Sequence, residues 1–341
     1  MVIKMKRRTK TEIRTDLALE LRENLCDQSE TTEIPGVEIT MEEDEALGVT
    51  VTWVEITDEN GAESMGKPIG NYITLESQSM KENDPEVHEE IAKILARKLG
   101  RLHNLNSEAV ILVVGLGNRQ VTPDALGPKV CEKILVTRHM DNDILPPELK
   151  GQLRAVSAIA PGVMGITGIE TAEIVKGVAE KITPDLIIAI DALAARRTSR
   201  INATVQISDA GVNPGAGLGN RRTPINRQSM GVPVIAVGVP TVVDAATLVN
   251  DTMDKMLSAM AASMPENLGE EQQGGAFYQM LAGLEDGERY GLIAEILSDS
   301  NMFVTPKEVD AVICRLANII ANTLNIALHP GVRQEDVNRY L

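Results

Sequence analysis

The sequence predicts an α/β fold in which a largely parallel sheet is flanked by helices, with a smaller β-rich elaboration. Short apolar runs at residues 111–114 and 186–190 alternate with helical segments, which is typical of parallel strands joined by crossover helices. Asp191 follows one run directly, and Asp124 follows the other through a glycine-containing loop. Because parallel strands end at the same edge of a sheet, the two carboxylates can meet in one cleft. Spacing alone equally allows a helix cap and a turn residue.

The composition indicates a globular protein and disfavours polyanionic partners. Of the 341 residues, 43% are hydrophobic, which is enough for a sizeable core. A net charge of -16 and an aromatic content of 2% both disfavour direct binding of nucleic acid. No apolar run approaches the length of a membrane span, and no hydrophobic signal region follows the N-terminus. We therefore expect a cytoplasmic protein without a membrane partner.

The side chains that commonly build metal or nucleophile sites show no recognisable pattern. The cysteines are odd in number and lack CxxC spacing, so they predict neither a disulfide framework nor zinc. The four histidines are scattered and have no carboxylate at ligand spacing, which disfavours a histidine-based metal site or triad. Serine and cysteine nucleophiles lack an elbow signature. The chemistry is therefore expected to rest on carboxylates.

Residues 1–16 differ in kind from the rest of the chain, because they are basic in an otherwise acidic protein. Both a solvated arm and a segment that docks on its own protein fit this composition. Composition does not decide between them.

Residues 37–79 form the predicted β-rich elaboration. Polar and β-branched residues alternate at 49–54 and 72–75, and Asn60-Gly61 is a hairpin signal. We expect an antiparallel hairpin or a mixed edge of the sheet here. Asp84 then caps a helix that begins at Pro85 and carries apolar residues at helical spacing.

From residue 110 onwards, strands and helices alternate. The predicted strands lie at 110–114, 155–160, 186–190, 202–208 and 232–239, and the predicted helices at 128–138, 170–182, 244–264 and 306–327. Thr305 and Glu308 match a capping box for the last helix. The polar, glycine-rich stretch at 265–287 is typical of a mobile insertion.

Two glycine-rich loops leave alternatives open. The loop at 115–118 follows a strand, but it lacks the third glycine of a dinucleotide-binding motif and an acidic ribose partner. The loop at 211–220, followed by Arg221 and Arg222, can cradle an anion through backbone N–H groups or can serve as a flexible connection.

Several motifs in order resemble the germination proteases of endospore-forming bacteria. They comprise residues 15–20 (TDLALE), 113–129 around Asp124, 160–171, 191–196 beginning at Asp191, and 202–209. The resemblance covers nearly the whole chain. It implies an intracellular endopeptidase, made as a zymogen, that degrades small acid-soluble spore proteins during germination in the forespore and spore core. It also implies a homotetramer and a catalytic pair formed by Asp124 and Asp191.

The resemblance further implies a self-cleavage site. Substrates of the family carry threonine or serine, glutamate, a large apolar residue, alanine, a variable residue and glutamate. Residues 15–20 follow that pattern with Asp16 in place of the first glutamate. We therefore expect cleavage between Asp16 and Leu17. This cut divides the chain into a propeptide at 1–16 and a single peptidase domain at 17–341. We expect that domain to belong to the phosphorylase/hydrolase-like class. A helix cap at Asp16 is the ordinary alternative.

Two carboxylates held close together cannot both ionise cheaply, so one would keep a proton and act as general acid while the other activates water. The sequence leaves the two roles unassigned. An acidic residue before the scissile bond calls for a cation, for which Arg196, Arg197 and Lys129 are the candidates. No cofactor or metal is expected. A distant likeness to hydrogenase maturation proteases around Asp124 makes a nickel-dependent endopeptidase the alternative, and a non-enzymatic scaffold is a further competitor.

Overall fold

The computed structural model describes residues 15–29, 33–140, 151–214, 222–263, 283–284, 286–297, 302–329 and 331. A mixed sheet lies at the centre of this part of the chain. Its strands are β1 Val37–Asp44, β2 Val49–Ile56, β3 Gly70–Glu76, β4 Val110–Gly115, β5 Ala155–Ile159, β6 Leu186–Ala195, β7 Thr204–Ser208, β8 Val234–Asp244 and β9 Phe303–Val304. They are ordered β1-β2-β3-β7-β8-β6-β4-β5, with β9 pairing with β8.

The sheet has a parallel half and an antiparallel half. Strands β5, β4, β6 and β8 run parallel, whereas the pairings from β1 to β7, and those of β7 and β9 with β8, are antiparallel. The prediction of a largely parallel sheet is therefore only partly correct. The β-rich elaboration is continuous with the main sheet, because β3 pairs with β7. The phosphorylase/hydrolase-like class and the division of the chain into domains remain predictions.

Helices cover both faces of the sheet. They are α1 Ala18–Ser29, α2 Glu59–Met65, α3 Pro85–Leu102, α4 Leu126–Cys131, α5 Met164–Thr167, α6 Thr171–Ile182, α7 Arg227–Met230, α8 Ala245–Ser263, α9 Asp286–Leu297 and α10 Val309–Leu328. Helices α3, α4 and α10 share the largest apolar cluster with one face, while α6 packs on the other. Amphipathic spacing thus places these four helices on the core.

Helix α10 has the length and hydropathy of a membrane-crossing helix, and among the described residues it is the one helix that does. However, 61% of that apolar stretch is buried inside the protein. Leu316, Ile320 and Leu324 belong to the core cluster. Core packing therefore explains its apolar character.

Local signals misplaced several element boundaries. Asn60 and Gly61 lie in α2 and not in a hairpin turn, because Asp58 caps that helix by accepting the Gly61 N–H. The helix predicted at 128–138 ends at Cys131. The cap of α10 is Glu308, and the Thr305 hydroxyl instead donates to the carbonyl of Thr241.

Strand β6 is longer than its apolar run, which has a direct consequence for Asp191. The strand continues to Ala195, so Asp191 lies inside it and opposite Gly238 of β8, and does not follow its end. Other predictions lie largely outside the described residues. These are the basic segment 1–16 up to residue 14, most of the insertion at 265–287, and the loop 211–220 from residue 215 onwards.

Candidate active site

Asp124 and Asp191 line the same cavity, which has a volume of about 420 Å³. Asp16, Lys67 and Gln206 also line it. The two aspartates come from elements far apart in sequence, the turn before α4 and the middle of β6. The structure therefore places Asp16, Asp124 and Asp191, which the sequence singled out, on one cavity. It adds Lys67 and Gln206, which the sequence did not single out.

A tight loop holds Asp124. Its carboxylate accepts the backbone N–H of Asn118 at 2.7 Å. Gly117 has a φ of +109°, and a Cβ at this position would lie 2.0 Å from the carbonyl oxygen of Asp124. Because L side chains avoid this conformation and have no room here, the loop needs glycine at this position.

Close backbone packing joins this loop to β6. The N–H of Leu116 donates to the carbonyl of Ile190 at 2.8 Å, immediately before Asp191. A Cβ on Gly127, in the first turn of α4, would lie 2.4 Å from the Leu116 carbonyl oxygen and 2.7 Å from that of Ile190. The glycine thus lets α4 approach both the loop and β6, which holds Asp124 near Asp191.

Asp191 is buried, with 7% of its surface exposed, and its carboxylate accepts the N–H of Ala192 at 3.0 Å. Burial, together with the negative charges of Asp124 and Asp16, raises the pKa of Asp191 to about 8. Burial also raises the pKa of Asp124, although the hydrogen bond from Asn118 and the charge of Arg222 oppose this change. Both changes favour the protonated form, so ionising both carboxyls at once is disfavoured.

The positive charge of Arg222 acts on both aspartates and opposes the rise in the pKa of each. The sequence indicated it only as one of two arginines that follow the loop at 211–220, which can cradle an anion or serve as a flexible connection. Its neighbour Arg221 lies outside the described residues.

Residues 15–20 lie against β6 and β7 at this cavity. The N–H of Asp16 donates to the Ala194 carbonyl at 3.0 Å, and the Ala194 N–H donates to the Asp16 carboxylate at 2.9 Å. The N–H of Ala18 donates to the side-chain carbonyl of Gln206 at 2.8 Å. Leu17 is fully buried. The bond between Asp16 and Leu17 is thus held in an ordered, peptide-binding arrangement.

Glu20 anchors the end of the segment. Its carboxylate accepts the backbone N–H groups of Arg196 at 2.7 Å and Arg197 at 2.9 Å, and also bonds the Thr15 hydroxyl. The guanidinium of Arg200 lies 3.5 Å away. Arg196 and Arg197 therefore bind Glu20, four positions after Asp16, through their backbone N–H groups.

Lys129 is not among the residues that line the cavity, and its ammonium bonds the sulfur of Cys314 at 3.7 Å. Among the described residues, no group of three or more histidine, cysteine, aspartate or glutamate side chains is arranged to hold a metal ion. His88 and His329 each bond a backbone carbonyl, those of Ser79 and Leu135.

Lys67, Gln206 and Arg200 were missed at the level of sequence. Gln206 lies in one of the motifs quoted above, but nothing in its spacing connects it with Asp16. Lys67 follows a short helix in the β-rich elaboration and carries no local signal. Only the strand order brings these side chains to the segment at 15–20.

Comparison with known proteins gives the family. The profile described as germination protease matches residues 14–267 and 262–341. The germination protease of Caldanaerobacter subterraneus subsp. tengcongensis is 47% identical over 331 residues, covering 96% of this chain and 98% of the relative. That of Bacillus subtilis is 45% identical over 358 residues, covering 96% of each protein. That of Clostridium tetani is 47% identical over 331 residues, covering 96% of this chain and 99% of the relative. The chain therefore belongs to the germination protease family and is an endopeptidase.

Proposed function

We propose that this endopeptidase is a zymogen that uses Asp124 and Asp191 as its catalytic pair and cleaves itself between Asp16 and Leu17. One observation carries the proposal. The bond between Asp16 and Leu17 lies at the cavity that both aspartates line, where the Asp16 N–H bonds the Ala194 carbonyl and the Ala18 N–H bonds the Gln206 side chain. A peptide bond positioned at a pair of coupled carboxylates is the arrangement expected of an aspartate-dependent peptidase.

The electrostatics support a division of roles. Asp191 is the more deeply buried of the two and holds the proton, so it acts as the general acid toward the leaving amine. Asp124 is bonded by the Asn118 N–H and acted on by Arg222, both of which favour its ionised form. It therefore acts as the base that activates water.

The same contacts support the proposal that the full chain is a zymogen. Residues 15–20 fill the position that a substrate peptide would take, so other substrates are excluded until the segment is cut or displaced. Preference for an acidic residue before the cut is supported by the Ala194 N–H on the Asp16 carboxylate. The buried position of Leu17 supports an apolar residue after it. Small acid-soluble spore proteins are the substrates we assign on this basis and on the resemblance.

The resemblance alone supports three further parts of the proposal. These are the homotetrameric state, the location in the forespore and spore core, and the phosphorylase/hydrolase-like class. A nickel-dependent peptidase is the second candidate considered from sequence, and no contact among the described residues favours it.

N-terminal sequencing after incubation tests the proposal. Wild type, Asp124→Asn and Asp191→Asn are incubated between neutral and mildly acidic pH, with Asp185→Asn as a control for an exposed carboxylate beside β6. A new N-terminus at Leu17 is expected in wild type and the control only. Because the pair acts as a unit, the double variant should lose little more than either single one.

Two results would overturn the proposal. Substantial processing by either single variant would remove the paired mechanism. A new N-terminus at Leu17 in every sample would indicate a contaminating protease.

A further inference from the structure

The carbonyl oxygen of Asp16 accepts two side-chain hydrogen bonds. The ammonium of Lys67 donates to it at 2.9 Å and the amide of Gln206 at 3.4 Å. This oxygen belongs to the peptide bond that the proposed function assigns to cleavage. Two donors converging on a reacting carbonyl form the arrangement that stabilises the negative charge developing on its oxygen.

Lys67 is placed for this contact by its position after α2. Gly66 ends that helix in the left-handed conformation, with a φ of 60°, and turns the chain so that Lys67 and Pro68 line the cavity. Burial lowers the pKa of Lys67, and the Asp16 carboxylate opposes this change. A partly desolvated ammonium acts more strongly on a nearby carbonyl than a solvated one.

Gln206 holds both sides of the bond. It lies on β7 and is 8% exposed. Its side-chain carbonyl accepts the Ala18 N–H at 2.8 Å, while its amide donates to the Asp16 carbonyl. One side chain on a rigid strand therefore fixes the backbone before and after Leu17.

We propose that Lys67 is a further catalytic residue, which with Gln206 stabilises the oxyanion formed at the carbonyl of the residue before the cut. This role rests on the proposed function. Water adds to the carbonyl carbon, its proton passes to the Asp124 carboxylate, and the carbonyl π electrons move onto the oxygen facing Lys67. When the carbonyl re-forms, the C–N bond breaks and Asp191 gives its proton to the Leu17 nitrogen. The pair again holds one proton, and one water molecule has been consumed.

A purely structural lock is the competing role, in which Lys67 only keeps the segment docked. The two roles differ in what Lys67→Met changes. If Lys67 is a catalytic donor, its loss slows self-processing by about a hundredfold or more, while the segment at 15–20 stays in place. If Lys67 is only a lock, its loss would free the segment at 15–20. The processing rate would then fall only in proportion to the fraction of molecules in which the segment is docked.

The test measures two quantities on the full chain. The first is the rate at which the N-terminus at Leu17 forms, and the second is hydrogen exchange at the Ala18 N–H, which reports docking on Gln206. Lys67→Met should lower the first and leave the second unchanged. Lys81→Met is the matched control, because Lys81 also bonds a backbone carbonyl, that of Ser199, but outside the cavity.

Chemical rescue separates a charge at the carbonyl from a packing effect. In Lys67→Ala, added methylammonium should restore processing in proportion to its concentration, whereas the same salt should not affect Asp124→Asn. If Lys67→Met does not fold, Lys67→Gln carries the test, since it keeps a neutral donor and should give a rate between that of wild type and that of Lys67→Ala.

Failure of this inference is distinct from failure of the proposed function. If wild type does not process, or Asp124→Asn does, the proposed function is wrong. If wild type processes and Asp124→Asn does not, a wild-type rate in Lys67→Met overturns the role of Lys67. A rate loss matched by faster exchange at Ala18 would also overturn it.

Discussion

Replacing Asp191 by asparagine is expected to stabilise the protein at neutral pH while abolishing hydrolysis. The folded protein holds this carboxyl buried and beside two other carboxylates, so its ionised form is disfavoured there. In the unfolded chain the Asp191 carboxyl is exposed to water and ionises freely. Asparagine has nearly the same shape and can still accept the Ala192 N–H, but it has no charge to desolvate.

The magnitude follows from the two pKa values of Asp191. The ordinary value is 3.8 and the folded value is about 8. Because the folded value is raised, the penalty is absent below the unfolded value and grows as pH rises toward the folded one. Each pH unit in that interval corresponds to about 1.4 kcal/mol. The penalty at pH 7 is therefore at most about 4 kcal/mol, and at pH 4 it is below about 1 kcal/mol.

Denaturant unfolding between pH 4 and pH 7.5 measures this effect. The free energy of unfolding is compared for wild type, Asp191→Asn and the exposed control Asp185→Asn, with mass spectrometry to verify that the chain is intact. The advantage of Asp191→Asn over wild type should widen steadily as pH rises. Curves for these two proteins that run parallel over the whole range would refute the reasoning, because Asp191 would then not change its protonation on folding.

Three further predictions concern the loop, the segment and the chemistry. Gly117→Ala should abolish processing, since its Cβ would lie 2.0 Å from the Asp124 carbonyl oxygen. Gly48→Ala is the control, because Gly48 has a φ of +59° and, among the described residues beyond its chain neighbours, no atom lies within 4 Å of the added Cβ. It should cost only about 1 kcal/mol in unfolding free energy. A Gly117→Ala protein that processes at half the wild-type rate would contradict this account. Glu20→Gln should slow the appearance of the Leu17 N-terminus about tenfold or more, because it weakens the charge-assisted bonds from the N–H groups of Arg196 and Arg197. Glu33→Gln, at an exposed position, is the control. Equal rates in both variants would argue against this anchor. Exhaustive chelation should leave peptide hydrolysis unchanged, and recovery only on adding nickel would favour the metal-dependent alternative.

The sequence alone identified most of the elements and singled out Asp124 and Asp191. Helix α3 begins at Pro85 behind its Asp84 cap as predicted, and α6, β4 and β5 lie within a residue or so of their predicted bounds. These features depend on capping and on apolar periodicity, which are written in neighbouring residues. The antiparallel half of the sheet was less accessible, because strand direction depends on the pairing of β3 with β7, which are far apart along the chain.

The surroundings of the aspartates were decided by tertiary structure. The sequence proposed the side chains of Arg196 and Arg197 as cations for the residue before the cut, but their backbone N–H groups bind Glu20. Gln206 meets the Asp16 carbonyl because the strand order places β7 one strand away from β6, across β8, and the segment at 15–20 contacts both strands. Lys67 reaches the same carbonyl from the turn after α2. Periodicity and capping report a residue's neighbours within a few positions. Charge, hydrogen bonding and desolvation at a site depend instead on which distant strands become adjacent when the sheet forms.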